Sequence, residues 1–424
     1  MNAAPGQPVK PLKLGVAGLG RAFTLMLPTF MADARVQLVA ATDPRTEACE
    51  RFRADFDGRT YNTLDALCAD PEVEAIYLAT PHQLHAEHVK IAARFGTHVL
   101  VEKPLAISLA ECDAMIAATA AAGVHLIVGH SHSFDAPVLQ ARRIIESGEV
   151  GAVRMITAQM STDFLYRPRR PEELDTAQGG GVVFSQAAHQ IDIVRLFGGG
   201  MVTAVRAQTG AWDASRGAAT AGGTRPAEGA YAAMLWFEGG AFASVTYSGY
   251  GHYDSDEACE WIGELGAPKN PEAYQSGRAR LAATKHAAAK DAAHEAQLKA
   301  ARNYGGATYA PPGAAPPHHQ HFGPMVISCD RADLRPTPRG VMVYGETGKA
   351  LRAAPRAVVP RIEVIDELVA AVRDGVLPLH DGAWSRATME VCLALLESSR
   401  TGKEVRMQRQ VAPRPLAQIP QREG

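Results

Sequence analysis

The sequence has little that would anchor it in a membrane, cross-link it or bind it to a polyanion. No run approaches the ~20 apolar residues of a membrane span, and the first ten residues, MNAAPGQPVK, lack the basic-then-apolar order of a secretory signal. A cytoplasmic location is the expectation. The six cysteines (Cys49, Cys68, Cys112, Cys259, Cys329, Cys392) form no CxxC, which excludes a thiolate zinc site or a disulfide framework and leaves reduced thiols. There is no basic excess, because 43 Lys and Arg stand against 45 Asp and Glu for a formal charge of −2, and no Lys/Arg cluster is interleaved with aromatics. A nucleic-acid partner is not expected. Disorder is excluded too, with 46% hydrophobic and 21% charged residues, and 424 residues suffice for two cores.

The first part of the chain alternates between strand and helix signals. Residues 12–17 (LKLGVA) form an apolar run that enters Gly18 and Gly20, a helix follows over 23–31, and 36–41 (VQLVAA) reads as a second buried strand. The alternation continues with a helix at 44–56, a strand at 75–79, a helix at 85–95, a strand at 98–101, a helix at 109–122 and a strand at 125–129. Such alternation predicts a parallel sheet covered on both faces. Beyond Gly129 the pattern changes to a helix at 137–147 and longer strands at 152–160, 202–209, 230–237 and 241–250, with Gly239-Gly240 as a hairpin signal. Residues 264–301 are rich in Ala, Lys and Gln and 304–321 in Gly, Pro, Ala and His, so this stretch reads as an exposed insertion. Helical spacing at 361–373 and 384–400 predicts two helices returning toward the domain junction, with a polar tail after Thr401.

Chemistry concentrates in four places. In Gly15-Val-Ala-Gly18-Leu-Gly20, the glycines give a strand-to-helix turn through which the amides around Arg21 and Ala22 reach a pyrophosphate. The third glycine of the usual GxGxxG is Phe23, so helix and strand are expected to pack less closely there. Asp43 ends the second strand where an acid would accept from both adenosine ribose hydroxyls; it is equally suited to cap the helix after Pro44. NAD is therefore expected over NADP, with Arg45 as the residue that could take a 2′-phosphate. The expected fold class is α/β, a Rossmann-type doubly wound parallel sheet over residues 1–129. A second α+β domain over 130–360 has an open, mainly antiparallel sheet and the insertion at about 264–321; the C-terminal helices and tail fill 361–424.

Glu102-Lys103-Pro104 follows the strand HVLV at the carboxyl edge of the sheet, where ligands bind and where two charges need partners. Partial burial beside an oxidised nicotinamide would lower the Lys103 pKa toward that of a working base, whereas a salt-bridged strand end would account for the same residues. Pro104 could fix the lysine in a cis or trans turn. Thr80-Pro81-His82-Gln83-Leu84-His85 follows the neighbouring strand and could hold the nicotinamide ribose or the substrate, although His85 could lie on a helix surface. In Gly179-Gly-Gly-Val-Val-Phe-Ser185-Gln186-Ala-Ala-His189-Gln-Ile-Asp192, a helix from Ser185 would put Ser185, His189 and Asp192 on one face, with Arg195 flanking. His130, Ser131, His132 and Phe134 mark the crossing between domains. His318-His319-Gln-His321 lacks a carboxylate at firm spacing, so no metal is expected.

Together these segments (VAGLG, ATPHQLHAEHV, HVLVEKPLA and GGGVVFSQAAHQIDIV) resemble the glucose-fructose oxidoreductase and inositol dehydrogenase family, Gfo/Idh/MocA, over most of the chain. The resemblance implies that Lys103 is catalytic and that His189 assists it. It also marks two departures: Ser185 stands where the family has an Asp that holds a substrate hydroxyl, and His82 stands where it has an Asn. Within the family, residues 249–266 and 318–348 are similar to phthalate 4,5-cis-dihydrodiol dehydrogenases. That likeness implies NAD-dependent oxidation of a cis-4,5-dihydroxycyclohexadiene-1,2-dicarboxylate to 4,5-dihydroxyphthalate. A dicarboxylate needs cationic partners, and Tyr166-Arg167-Pro168-Arg169-Arg170 supplies guanidiniums, with His130, His252 and Arg195 as further candidates beside Ser185 and Gln186; a solvated basic loop is the plainer reading of the arginine run. The alternatives are a polyol, sugar or other cyclic diol as substrate, or a non-catalytic dinucleotide sensor, against which the presence of both Lys103 and His189 argues. A homodimer or homotetramer through the second-domain sheet is expected.

Overall fold

The structure is a computed structural model and describes residues 10–129, 131–213, 227–273, 276–287, 292–311, 313, 315–355 and 359–416. His130, proposed above at the domain crossing, lies outside these residues.

Buried apolar runs form the first layer. β1 (Leu12–Ala17), β2 (Val36–Thr42), β4 (Ala75–Leu78), β5 (His98–Val101) and β6 (Leu126–Val128) are joined by α1 (Arg21–Ala32), α2 (Thr46–Phe56), α4 (His85–Arg94) and α5 (Leu109–Ala122). A two-residue β3 (Arg59–Thr60) and a short α3 (Leu64–Cys68), neither signalled by periodicity, complete the crossover between the halves. The order is β3-β2-β1-β4-β5-β6, with every pair parallel. Sequence order reverses between β1 and β4, so the cleft beyond their carboxyl ends is where this architecture binds ligands.

The second layer is larger than its strand signals suggested. After α6 (Ala136–Glu146) come β7 (Val153–Ser161), α7 (Ala188–Phe197), β8 (Val202–Gly210), β9 (Ala230–Phe237) and β10 (Phe242–Ser248). Then α8 (Ser276–Ala287) and α9 (Ala292–Ala301) precede β11 (Met325–Cys329), β12 (Ala332–Thr337), β13 (Gly340–Gly345) and β14 (Gly348–Ala353). α10 (Ile362–Asp374), α11 (Gly382–Thr401) and β15 (Val405–Arg406) close the chain. The nine-stranded order is β14-β13-β12-β11-β7-β10-β9-β8-β15, antiparallel throughout except for β7 beside β10. Strands β11 to β14 go beyond the sequence expectation because they are short and partly to wholly exposed, with little alternation to read. α10 returns to the first core, where Val364, Ile365 and Leu368 join Leu12, Leu14 and Val16. No helix among the described residues is long and apolar enough to cross a membrane.

Among its described residues the segment 264–321 is mostly exposed or half-buried, as expected, but it is anchored at a few buried residues. Tyr304 is fully buried, sits edge-on to Phe23 at 5.2 Å and donates from its hydroxyl to Asp55 at 2.8 Å. Phe23, standing where the third glycine would be, is thus accommodated by an aromatic partner brought from the second domain. Little apolar periodicity was needed, because one large ring can anchor a segment by ~1.5–3 kcal/mol of burial.

Candidate active site

At the cofactor end, Gly18 has φ +91° and a Cβ there would lie 2.7 Å from the Ala79 carbonyl oxygen, so β1 and β4 can meet only with glycine at this position. Gly20 differs: a Cβ would meet nothing within 4 Å. That open space lies in front of α1, whose first amides, at Arg21 and Ala22, have no side-chain cap and no acidic residue in the first turn. A pyrophosphate fits such a helix start, since the aligned amides favour an anion. Asp43 accepts from the Leu19 amide at 2.6 Å and the Arg45 amide at 2.9 Å, which holds its carboxylate at the rim of the turn. It does not cap α2, whose N-cap is Arg45. The Arg45 guanidinium is spoken for by Asp43, by the Leu19 carbonyl at 2.8 Å and by the Tyr304 carbonyl at 3.1 Å. An acid at the rim and an arginine turned to backbone carbonyls suit the unphosphorylated ribose of NAD.

Beyond the glycine turn opens a cavity of about 570 Å³ between the two sheets. Thr80, His82, Glu102 and Lys103 line it from the carboxyl edge of the parallel sheet. Lys103 donates to the Ser185 carbonyl at 2.9 Å, and its bond to Pro104 is cis. Burial lowers the Lys103 pKa, against the opposing pull of Glu102 and Glu264. Glu102 accepts from the Tyr77 hydroxyl at 2.5 Å, which removes the simple reading of a surface ion pair. His82 reaches the Gly179 carbonyl at 3.4 Å, and burial, with His85 and Lys103 nearby, pulls its pKa down to about 3. His85 is fully buried rather than on a helix surface; it bridges the carbonyls of Thr80 and Pro104, each at 3.0 Å, and so ties the two edge loops together. Pro81 starts the turn that carries His82.

From the second domain come Ser185, Gln186 and His189. Residues 183–187 form a π-helical turn before α7, so the simple α-helical face is broken. Ser185 donates to the Gly181 carbonyl at 2.6 Å, while Asp192 points away from the cavity to Ser133 and to Thr388 at 2.6 Å. His189 meets His132 edge-on, with ring centroids 4.8 Å apart, and tilts against Phe322 at 5.1 Å. His132 is therefore part of the site and not only a domain crossing. Burial lowers its pKa, but Asp135 at 2.7 Å and Glu264 at 3.4 Å outweigh that and raise it to about 9.

The arginine run divides. Arg167 and Arg169 line the cavity, Arg169 stacked 3.6 Å over Phe164 and donating to that residue's carbonyl at 2.8 Å, whereas Arg170 pairs with Glu172 at 3.1 Å outside the wall. Arg195 is fully buried against Trp384, Thr388 and Gln410, which makes it a packing residue. His252 is exposed on a turn away from the cavity. The insertion contributes residues that composition concealed: Glu264 in the wall, Glu295 accepting from the Arg169 amide at 3.0 Å, and Lys299 paired with Glu173. Glu264 was legible only as a lone charge in the apolar, glycine-flanked WIGELG. The three histidines at 318–321 separate, with His321 bonded to the Ile262 carbonyl at 2.8 Å, and among the described residues no group of His, Cys, Asp and Glu could hold a metal.

Comparison with known proteins agrees with this architecture. Residues 12–130 match the oxidoreductase family with an NAD-binding Rossmann fold, and residues 138–268 match the Gfo/Idh/MocA C-terminal domain. The 1-carboxy-3-chloro-3,4-dihydroxycyclohexa-1,5-diene dehydrogenase of Comamonas testosteroni is 44% identical over 92% of this chain and 95% of its own length. The solved structure of a protein from Bordetella bronchiseptica RB50 is 42% identical, covers 94% of this chain and all of its own, and superposes with a TM-score of 0.84. The WlbA dehydrogenase of Bordetella pertussis, in complex with NADH and UDP-GlcNAcA, shares the fold alone: 19% identity, TM-score 0.64, 94% of this chain and 99% of its own. The chain belongs to the Gfo/Idh/MocA oxidoreductases and is an NAD-dependent dehydrogenase.

Proposed function

We propose that the protein oxidises the cis-diol of a carboxylated cyclohexadiene, with phthalate 4,5-cis-dihydrodiol as substrate and 4,5-dihydroxyphthalate as product. The observation that carries this reading is that Lys103 and His189 line the same cavity as Arg167 and Arg169. Guanidiniums in a partly desolvated wall bind carboxylates bidentately, and two of them suit two carboxylates on adjacent ring carbons. The likeness to a dehydrogenase whose name specifies a carboxylated dihydroxycyclohexadiene supports the class. That name carries one carboxyl group, which makes a ring monocarboxylate the second reading.

Bound NAD would supply the hydride acceptor. The other demands fall on the chain. Lys103, with its pKa lowered by burial, takes the proton of one ring hydroxyl while the hydrogen on that carbon leaves as hydride. His189 lines the same cavity from the second domain, where it can hold the hydroxyl toward the lysine. The hydroxy-ketone then loses a ring proton and enolises, and aromaticity makes the reaction run one way. Domain walls on both sides exclude water from the transfer.

NADH formation with phthalate dihydrodiol, a monocarboxylated dihydrodiol, inositol and glucose, each tested with NAD and NADP, checks the reading. Turnover of inositol or glucose above both dihydrodiols would overturn it.

A second copy of the chain is proposed to cover the outer face of the nine-stranded sheet, where Trp236, Phe242 and Met155 form a cross-strand row, each more than a third exposed. Trp236→Arg is expected to halve the mass measured by light scattering; an unchanged mass would remove this face as the interface.

A further inference from the structure

Four carboxylates among the described residues line the cavity, and three are engaged by neighbouring donors. Glu102 accepts from Tyr77 at 2.5 Å, Glu173 is held by Lys299, and Asp256 is held by Lys269 at 2.9 Å. Glu264 is different. Its Oε1 lies 3.4 Å from Nε2 of His132, its Oε2 makes no hydrogen bond among the described residues, and its side chain keeps 27% exposure on the cavity side.

Its place is also distinctive. His132, its one side-chain partner, touches His189, and the Glu264 charge is felt by both Lys103 and Arg167. The carboxylate therefore shares the cavity with Lys103, His189 and the two guanidiniums. Burial opposes its charge, but His132 and Arg167 outweigh burial and hold its pKa down to about 2. An ionised carboxylate only accepts hydrogen bonds, so it welcomes a hydroxyl and repels another carboxylate. Ser185, the residue expected to meet a hydroxyl, donates instead to the Gly181 carbonyl.

We propose that Glu264 accepts a hydrogen bond from the diol hydroxyl that does not react, with His132 as the positioning residue that aims it. The ring then enters in one orientation only, diol toward Glu264 and Lys103, carboxylates toward Arg167 and Arg169. Glu264 thereby sets which substrates are oxidised. This inference rests on the dihydrodiol reading above.

The test compares wild type with Glu264→Gln, using phthalate dihydrodiol as substrate and phthalate, which has the carboxylates but no hydroxyls, as competitive inhibitor. Losing a hydrogen bond to a charged group should lower kcat/KM for the diol by roughly 10- to 100-fold. The phthalate inhibition constant should be unchanged or tighter, because the amide no longer repels a carboxylate, and NADH affinity should hold. His132→Gln should show a smaller fall of the same pattern. An unchanged kcat/KM in Glu264→Gln, or equal weakening of diol and phthalate, overturns the assignment; a wild-type kcat/KM in His132→Gln overturns the positioning role. If wild type fails to oxidise the dihydrodiol, the functional reading has failed separately. Glu264→Gln is then measured on the diol that wild type does oxidise, against its deoxy analogue, where the same selective fall is expected.

Discussion

The glycine turn and the segment 264–321 meet the same cleft from opposite sides, and they are built under different constraints. The turn is fixed by backbone: Gly18 brings β1 within a Cβ's width of Ala79, and Asp43 and Arg45 lock the loop through the Leu19 amide and carbonyl. The segment 264–321 is fixed by side chains, with Tyr304 seated on Phe23, Glu264 and Lys299 lining the cavity, and Glu295 accepting from the Arg169 amide. Backbone geometry suits a ligand common to many enzymes, whereas side chains can be exchanged without moving the frame. The difference teaches that one side of the cleft is held by backbone and the other by side chains, and the substrate-specific contacts proposed above fall on the latter.

Lys103→Met probes the junction between the two and should have the largest effect. A fall in kcat of about 10²- to 10⁴-fold is expected, as for loss of a general base. NADH binding should be retained, and the rise of kcat/KM with pH, as the wild-type lysine loses its proton, should disappear. Stopped-flow rates across pH, with NADH fluorescence titration, would check this; turnover near wild type would end the assignment of Lys103 as base. Arg169→Ala acts on the second domain alone. It should raise KM for a ring dicarboxylate about 10- to 100-fold, the value of a hydrogen bond to a charged group, and leave KM for NAD unaltered. A shift confined to NAD would reverse the comparison.

The smallest expected effect is at Gly305, whose φ is +74° and whose Cβ would lie 2.7 Å from the Ala48 Cα. Gly305→Ala should cost ~1–3 kcal/mol of stability through backbone displacement. Because this strap braces Arg45, KM for NAD should rise more than KM for substrate. Denaturant melts and a two-substrate kinetic matrix would measure both, and equal shifts in the two constants would show that the strap does not distinguish the ends of the cleft.

Much of the parallel-sheet domain was legible because its strands are near-continuous apolar runs and its turns carry glycine. Lys103 could be singled out for the same reason, since a charge directly after a buried strand stands out. Arg167 and Arg170 could not be told apart, because the three-residue spacing that sends one into the cavity and the other outward depends on the short 3-10 turns around them. Arg195 and His252, weaker candidates than the arginine run, take no place in the cavity: one is packed under α11 and the other faces solvent. Residues 325–353 hid four strands because they are short and largely exposed toward the end of the sheet, so they carry little apolar alternation.

By itself the sequence determined the alternating sheet, the glycine turn with Asp43 at its rim, and the lysine at the carboxyl edge. Each follows from local period or from a residue type that local backbone demands. The tertiary structure alone decided that Glu264 meets His132 across 132 residues and that the Tyr304 carbonyl meets Arg45 across 259. The physical reason is that pairings at such separations are selected by the packing of whole layers, and a weakly periodic segment carries no local record of the surface that will bury it.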